Sequence, residues 1–228
     1  MPVAAFDRDG FLVLPALMTA AACEAIATRL ADFEGAAGSR DLLERDWCGQ
    51  LSQQLATQLT AVGLLPLGHR AIQCNFFDKS ADLNWLVALH QDLSVPVAER
   101  ADAAGWSAWS VKQGQMFGQA PRALLEELVA VRLHLDACGV DDGPLRVVAG
   151  SHRSGVMSPE AARERRDIHG ETSCTVERGG VLLMRPLLLH ASSKSISGLH
   201  RRVLHFVYGP SEPGARLRWP QEATSIRC

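Results

Sequence analysis

Apolar residues recur every three or four positions in the first third of the chain, the spacing of a helix buried along one face. A first helix is predicted between Thr19, suited to cap its start, and Gly35, suited to end it. Its apolar positions are Cys23, Ile26, Ala27, Leu30 and Phe33. A second helix is predicted to end near Pro66, with its apolar stripe at Leu51, Leu55, Leu59 and Val62. The pattern therefore indicates a helical segment over about 1–66.

The pattern changes near residue 70 to short apolar runs broken by Gly, Pro and Asp-Asp turns, as is typical of β-strands. Strands are predicted at 71–77, 85–93, 105–111, 129–138, 145–148, 173–177, 180–190 and 201–208. Two short helices are predicted among them, one at 121–128 and one that begins at Ser158 and Pro159. The expected fold is mainly β with N-terminal helices, a sandwich or jelly roll whose core spans about 69–210.

Length, charge and cysteine content narrow the class of protein. The 228 residues favour one domain over 1–228, and 23 basic against 25 acidic residues give a net charge of −2, which argues against a nucleic-acid-binding face. No apolar run approaches the ~18 residues of a membrane span. Six cysteines without a C-x-x-C pair favour reduced thiols in a cytoplasmic protein. The expected partner is a small-molecule substrate, with neither nucleic acid nor a membrane.

The triplet His90-Gln91-Asp92 is the most informative short motif. On a strand, His90 and Asp92 would point to the same face because side chains alternate with a period of two. An imidazole and a carboxylate side by side supply two ligands of a 2-His-1-carboxylate metal site. His190, at the end of the apolar run 181–189, is the candidate for the third. Three protein ligands would leave Fe(II) open positions for a bidentate co-substrate and O2.

A candidate partner for a dicarboxylate co-substrate lies eleven residues beyond His190, at Arg201. A guanidinium fork makes two parallel hydrogen bonds to a carboxylate and stays ionised when partly buried. The neighbouring Arg202 would point the other way on a strand, and the spacing favours Arg201 for the pocket.

Several segments together resemble a known family. They are 6–15 (FDRDGFLVLP), 90–92 (HQD), 135–138 (LDAC), 142–152 (DGPLRVVAGSH) and 190–192 (HAS), followed by Arg201. Over nearly its whole length the chain resembles the phytanoyl-CoA dioxygenase-like branch of the Fe(II)/2-oxoglutarate oxygenases.

This resemblance implies a double-stranded β-helix with Fe(II) on His90, Asp92 and His190. It implies that Arg201 holds 2-oxoglutarate with help from Ser192 and Gln91. It also implies that O2 is used to hydroxylate an unactivated C–H bond of a small metabolite, with release of succinate and CO2.

Further residues are candidates for contacts in the pocket. Asn75 is unfavourable in a strand unless its amide is satisfied, so a role beside the co-substrate is expected. Trp106 and Trp109 follow the metal strand in a Gly- and Ser-rich stretch, where a substrate wall would fall. Arg132, in a central strand, could meet the co-substrate, although a structural ion pair is favoured.

A second H-x-D triplet, His134-Leu135-Asp136, is an alternative metal pair. Asp92 lies 98 residues before His190 and Asp136 only 54 before it. The longer gap leaves room for the intervening strands of the fold, so His90 and Asp92 are favoured as ligands. His134 and Asp136 are then expected either to form a solvated or hydrogen-bonded pair near a turn or, in a functional role, to contact substrate.

Two other functions remain open from the sequence. One is a non-catalytic jelly-roll binding protein, and the other is a cupin-like metalloenzyme that does not use 2-oxoglutarate. Arg201 separates them from the oxygenase, because neither needs a clamp for a dicarboxylate.

Overall fold

The computed structural model describes residues 2–31, 42–214 and 217–220, so the predicted Phe33 and Gly35 lie outside the described residues. The helices are α1 (Pro2–Asp9), α2 (Ala20–Arg29), α3 (Asp46–Ala61), α4 (Arg122–Glu127) and α5 (Pro159–His169). The first strands are β1 (Phe11–Leu14), β2 (Arg70–Lys79), β3 (Val87–His90), β4 (Ser94–Val97), β5 (Ser107–Lys112) and β6 (Gln115–Gln119). They are followed by β7 (Val129–His134), β8 (Leu145–Val147), β9 (Thr172–Cys174), β10 (Val181–Met184), β11 (His190–Ser192) and β12 (Arg201–Gly209).

The helices form where caps and apolar stripes predict them. The Thr19 hydroxyl accepts a hydrogen bond from the Ala22 amide at 3.2 Å and so caps α2. The stripe of α3 buries Leu51, Leu55 and Leu59, whereas Val62 lies beyond the helix end and is exposed. Helices α4 and α5 form as predicted, whereas α1 is an additional helix.

Three antiparallel sheets make up the β structure. The main sheet has the order β1-β10-β7-β12-β2, the second β3-β11-β8-β9, and the third β4-β6-β5. One face of the main sheet packs against α2 and α3 in the largest apolar core. Its other face packs against the second sheet, for instance through Ala130, Leu182 and Met184 on one side and Val147 and Cys174 on the other. This is the predicted jelly roll with a helical cover.

Some strand predictions need correction. The predicted strands 85–93 and 129–138 are too long, because β3 ends at His90 and β7 ends at His134. The predicted strand 180–190 is two strands, since the chain leaves the main sheet at Arg185-Pro186 and enters the second at His190. Strands β1, β4 and β6 were not predicted; they are short segments that form by pairing, β1 with β10 and β6 with β4 and β5.

The described cysteines are buried thiols without disulfide partners, as expected: Cys23, Cys48, Cys74, Cys138 and Cys174. Among the described helices, none combines the length and the apolar character needed to cross a bilayer.

Candidate active site

Three predicted metal ligands meet at one edge of the second sheet. His90 ends β3 and pairs directly with His190, the first residue of β11. Asp92 follows β3, and its amide donates to the Pro186 carbonyl at 2.9 Å. Asp92 Oδ1 lies 3.5 Å from His90 Nε2, and Oδ2 lies 3.7 Å from His190 Nε2. The ligand atoms of all three residues lie within 4.8 Å of one another.

Backbone carbonyls orient both imidazoles. His90 Nδ1 lies 2.8 Å from the Ala88 carbonyl and His190 Nδ1 lies 2.9 Å from the Leu188 carbonyl. A carbonyl only accepts, so each neutral ring carries its proton on Nδ1 and presents the lone pair of Nε2 toward Asp92. Hydrogen bonds of this kind fix the tautomer of metal-binding histidines. Two nitrogens and one carboxylate, held ready in this way, fit Fe(II).

The charges of the triad suit a cation site. Burial lowers the pKa of His190 to about 4, so this ring is neutral at physiological pH. Burial raises the pKa of Asp92, but its contacts with the two imidazoles outweigh burial and hold it below the usual value. Burial also opposes charge on His90, but the hydrogen bond and the charge of Asp92 outweigh it and raise the pKa of this ring. A metal ion therefore competes mainly with a proton on His90.

The triad opens into a cavity of about 230 Å³ between the main and second sheets. Polar residues of both sheets line it: Gln73, Asn75, Arg132, Ser192, Arg201 and His205. Its apolar walls are Phe77, Trp85, Val87, Leu145 and Val207. The cavity thus combines a candidate metal site with polar groups on an otherwise apolar surface, as ligand pockets commonly do.

Arg201 reaches the cavity and Arg202 does not. The Arg201 side chain is 3% exposed, donates to the Gly143 carbonyl, and has a buried Nε without a partner in the described structure. Arg202 points to the opposite face, where its Nε and Nη2 donate to both carboxylate oxygens of Asp136 at 2.9 and 2.8 Å. Arg201 is therefore the guanidinium with donor capacity left for a ligand.

Two other predicted co-substrate contacts also line the cavity, and a buried lysine supports one of them. The Ser192 hydroxyl accepts from Lys79 Nζ at 3.1 Å, and Nζ also donates to the Ser193 carbonyl at 2.7 Å. Asn75 Oδ1 is buried without a hydrogen-bond partner in the described structure. Lys79 was not a candidate, although it pairs directly with Arg201 between β2 and β12.

Gln91 does not line the cavity, which corrects its predicted role as a co-substrate contact. Its Nε2 donates to the carbonyls of Gly155 and Leu187 at 2.8 and 2.6 Å, and its Oε1 accepts from the Met157 amide at 2.9 Å. Gln91 lies between two residues that point into the site and so points away from it. Its side chain ties the metal strand to two loops.

Trp106 and Trp109 also lie away from the cavity, which corrects their predicted role as a substrate wall. Their rings stack with centroids 5.8 Å apart, and Trp106 is buried in an apolar cluster with Val95 and Val97. This cluster packs on the third sheet, so these rings stabilise that sheet.

The second H-x-D triplet lies outside the cavity and does not form a three-residue metal cluster among the described residues. Asp136 is occupied by Arg202, and His134 is buried with neither ring nitrogen hydrogen-bonded in the described structure. Neither residue lines the cavity. Within residues 2–31, 42–214 and 217–220, the only three-residue cluster with metal-ligand geometry is His90, Asp92 and His190.

Arg132 and His205 line the cavity, whereas the sequence had favoured a structural ion pair for Arg132 and had not assigned His205 to the cavity. The predicted ion pair of Arg132 is wrong: no carboxylate of the described residues lies within ion-pair distance, and Arg132 Nη1 instead donates to His205 Nδ1 at 3.0 Å. The guanidinium also lies 5.5 Å from the centre of the Phe77 ring. Strand alternation offered a signal for His205, which lies four residues after Arg201 and so on the same face.

Comparison with known proteins agrees with this architecture. The family model described as "Phytanoyl-CoA dioxygenase (PhyH)" matches residues 6–203. No curated protein sequence gives a significant match.

Solved structures share the fold over most of the chain. EctD from S. alaskensis, solved with 2-oxoglutarate and 5-hydroxyectoine, is 22% identical with a TM-score of 0.69, over 91% of this chain and 74% of that chain. HygX from Streptomyces hygroscopicus, solved with nickel and 2-oxoglutarate, is 21% identical with a TM-score of 0.63, over 92% and 86%. SnoN, titled a non-heme alpha ketoglutarate dependent epimerase from nogalamycin biosynthesis, is 17% identical with a TM-score of 0.66, over 92% and 80%.

Proposed function

The chain belongs to the phytanoyl-CoA dioxygenase family, and we propose that it is an Fe(II)- and 2-oxoglutarate-dependent dioxygenase that hydroxylates an unactivated C–H bond of a small molecule. One observation carries the proposal. The same small cavity is lined by the triad of His90, Asp92 and His190 and by Arg201, whose guanidinium is incompletely hydrogen-bonded. A metal-binding protein without 2-oxoglutarate has no need of that guanidinium.

His90, Asp92 and His190 would hold the iron through two Nε2 atoms and one carboxylate. Three protein ligands leave open positions for a co-substrate and O2. When bound, the iron supplies the oxidising chemistry that couples conversion of 2-oxoglutarate to succinate and CO2 with attack on a C–H bond.

Arg201 would bind the far carboxylate of 2-oxoglutarate, since its donors are buried and incompletely used. Ser192 and Asn75 would supply further polar contacts to 2-oxoglutarate. Lys79 donates a hydrogen bond to the Ser192 hydroxyl and so fixes its position. The apolar walls, including Phe77, Trp85 and Val207, would exclude water from the reacting atoms.

Asp92 favours hydroxylation over chlorination. A halogenase of this class needs a small residue in place of the carboxylate ligand, so that a halide can reach the metal. Here the carboxylate occupies that position between the two imidazoles.

Succinate release tests the proposal without knowledge of the substrate, because such enzymes turn over 2-oxoglutarate slowly on their own. The purified protein is incubated with Fe(II), 2-oxoglutarate and air, and succinate is measured by mass spectrometry. We expect iron-dependent succinate from the wild type and none above background from Asp92→Ala. Arg201→Ala should need at least about tenfold more 2-oxoglutarate for the same rate.

Arg202→Ala is the matched control, because it removes the adjacent guanidinium from the other face of β12. It should keep the wild-type dependence on 2-oxoglutarate. If wild type and Arg201→Ala bind Fe(II) alike and show the same dependence on 2-oxoglutarate, the proposal is contradicted and a cupin-like metalloenzyme is favoured. Absence of succinate despite bound iron would favour a binding protein.

A further inference from the structure

The cavity contains a second guanidinium besides that of Arg201. Arg132 is 8% exposed, lines the cavity from the central strand β7, and has no carboxylate of the described residues within ion-pair distance. A buried cation without a counter-ion is costly unless a ligand or hydrogen bonds compensate it. The molecule compensates Arg132 only in part.

His205 holds the guanidinium from one side. Arg132 Nη1 donates to His205 Nδ1 at 3.0 Å, and because an arginine cannot accept, the proton of the neutral imidazole lies on Nε2. Phe77 contributes its ring face at 5.5 Å from the guanidinium carbon. Arg132 is thereby held in place, and its remaining N–H groups are free for a ligand. The Nε2–H of His205 is a further donor on the same side of the cavity.

The backbones of Arg132 and Arg201 lie at different rungs of the main sheet. Arg201 and His205 lie four residues apart on one face of β12, about 13 Å at ~3.3 Å per strand residue. Arg201 pairs with Lys79 in the neighbouring strand, whereas His205 pairs with Asn75 and Arg132. One cavity therefore offers two guanidinium groups at different rungs of the sheet.

When Fe(II) and 2-oxoglutarate are bound, no negative charge in the cavity is left to balance the positive charge of Arg132. Among the lining residues, Asp92 is the one carboxylate and Arg132 and Arg201 are the two guanidinium groups. Fe(II) and doubly ionised 2-oxoglutarate cancel each other, and Asp92 offsets one guanidinium. One positive charge remains among these groups, and Lys79, buried behind Ser192, adds a second. A substrate with one negative charge would offset the charge of Arg132.

On the basis of the proposed function, we propose that Arg132, supported by His205, is the specificity-determining residue of this enzyme and that its substrate carries a carboxylate. The planar fork of an arginine matches the two oxygens of a carboxylate. The cavity of about 230 Å³ restricts the part of the substrate beside it to a small group.

Binding of matched probe pairs tests this proposal. Anaerobic protein loaded with Fe(II) and saturating 2-oxoglutarate is titrated by calorimetry with benzoate and benzamide, hexanoate and hexanamide, and proline and prolinamide. The visible charge-transfer absorption of the iron–2-oxoglutarate complex is recorded in parallel. At least one acid should bind about tenfold or more tightly than its amide while the absorption is retained.

Three variants assign the preference to Arg132. Arg132→Gln should remove the preference of acid over amide, and Arg132→Lys should retain part of it, since the charge stays and the fork is lost. Arg163→Gln, on the exposed face of α5, is the control and should bind the probes as the wild type does. If Arg132→Gln does not fold, the acid–amide comparison and Arg132→Lys still decide the outcome.

Other outcomes overturn the proposal. Equal binding of acids and amides, no binding of any acid, or an unchanged preference in both Arg132 variants would each contradict it. Loss of the charge-transfer absorption when an acid binds would also contradict the proposal, because that acid would have displaced 2-oxoglutarate. Weaker 2-oxoglutarate binding in Arg132→Gln would make Arg132 a co-substrate contact. In contrast, no absorption in the wild type would count against the proposed function itself.

Discussion

His90 and His190 face each other across the antiparallel pair β3–β11, with ring centroids 4.1 Å apart and each Nδ1 bonded to the carbonyl two residues before it. These two hydrogen bonds direct both Nε2 atoms to Asp92. The candidate metal site is therefore shaped by backbone geometry before any ion binds.

Gln91 is predicted to act on metal binding through the backbone. Gln91→Ala removes three hydrogen bonds to the backbone of Gly155, Met157 and Leu187, which should cost about 2–4 kcal/mol of unfolding free energy at ~1 kcal/mol each. Without these bonds the backbone at residue 91 is less well held, and the adjacent Asp92 is displaced from the metal site. Fe(II) binding should therefore weaken about tenfold. Urea unfolding and anaerobic Fe(II) titration measure the two effects.

Gln115→Ala is the matched control for this prediction. Gln115 also donates to backbone carbonyls, those of Val97 and Met116, but it lies in the third sheet. It should lower stability without changing Fe(II) affinity. Equal losses of Fe(II) affinity in both variants would show that the effect of Gln91 is general destabilisation.

Three buried histidines are predicted to make the metal-free protein sensitive to acid. Burial lowers the pKa of His134 well below its ordinary value, that of His190 to about 4 and that of His205 to about 3. Below pH 6.5 the unfolded chain therefore binds protons that the folded chain excludes, so stability falls as pH falls. His190 and His205 should each cost about 1.4 kcal/mol at pH 5.5, and His134 adds to the loss. The raised pKa of His90 offsets part of this loss.

Urea unfolding at pH 7.5 and 5.5 measures the acid sensitivity. His134→Leu should reduce the difference in unfolding free energy between the two pH values, because one buried imidazole is removed. An identical difference in wild type and His134→Leu would show that His134 is protonated as readily in the folded as in the unfolded protein.

Asp136 is predicted to matter for stability and not for ligand binding. Asp136→Ala removes a two-pronged, half-buried pair with Arg202 and should cost about 1–3 kcal/mol of unfolding free energy. Binding of Fe(II) and 2-oxoglutarate to the folded variant should match the wild type. Loss of 2-oxoglutarate binding without loss of stability would instead place Asp136 in the site.

The exposed pair of Glu160 and Arg163 on α5 supplies the control for Asp136. Both partners are largely solvated, so Glu160→Ala should leave the unfolding free energy close to that of the wild type.

Sequence reasoning located the triad because its signals are local. His90 and Asp92 lie two residues apart, and His190 begins a strand after an apolar run. Strand alternation put Arg201 and Arg202 on opposite faces, and the spacing from His190 favoured Arg201; the structure places Arg201 in the cavity and Arg202 on the other face. Such features need only strand period and spacing along the chain and no knowledge of which strands pair.

The errors arise where long-range pairing decides. Asp136 lies beyond the end of β7, so alternation within that strand did not predict its position, and its pair with Arg202 joins residues 66 apart. Trp106 and Trp109 pack on a third sheet that exists only because β6, an unpredicted strand, pairs with β4 and β5. Arg132 meets His205 through the register of β7 and β12, which no local pattern reveals.

The most direct test of the central claim is an anaerobic titration of the metal-free protein with Fe(II) and then 2-oxoglutarate, followed by visible absorption. The account predicts a metal-to-ligand charge-transfer band in the wild type that is weakened in both Asp92→Ala and Arg201→Ala. A wild-type protein that binds Fe(II) by calorimetry but develops no band with 2-oxoglutarate would contradict it.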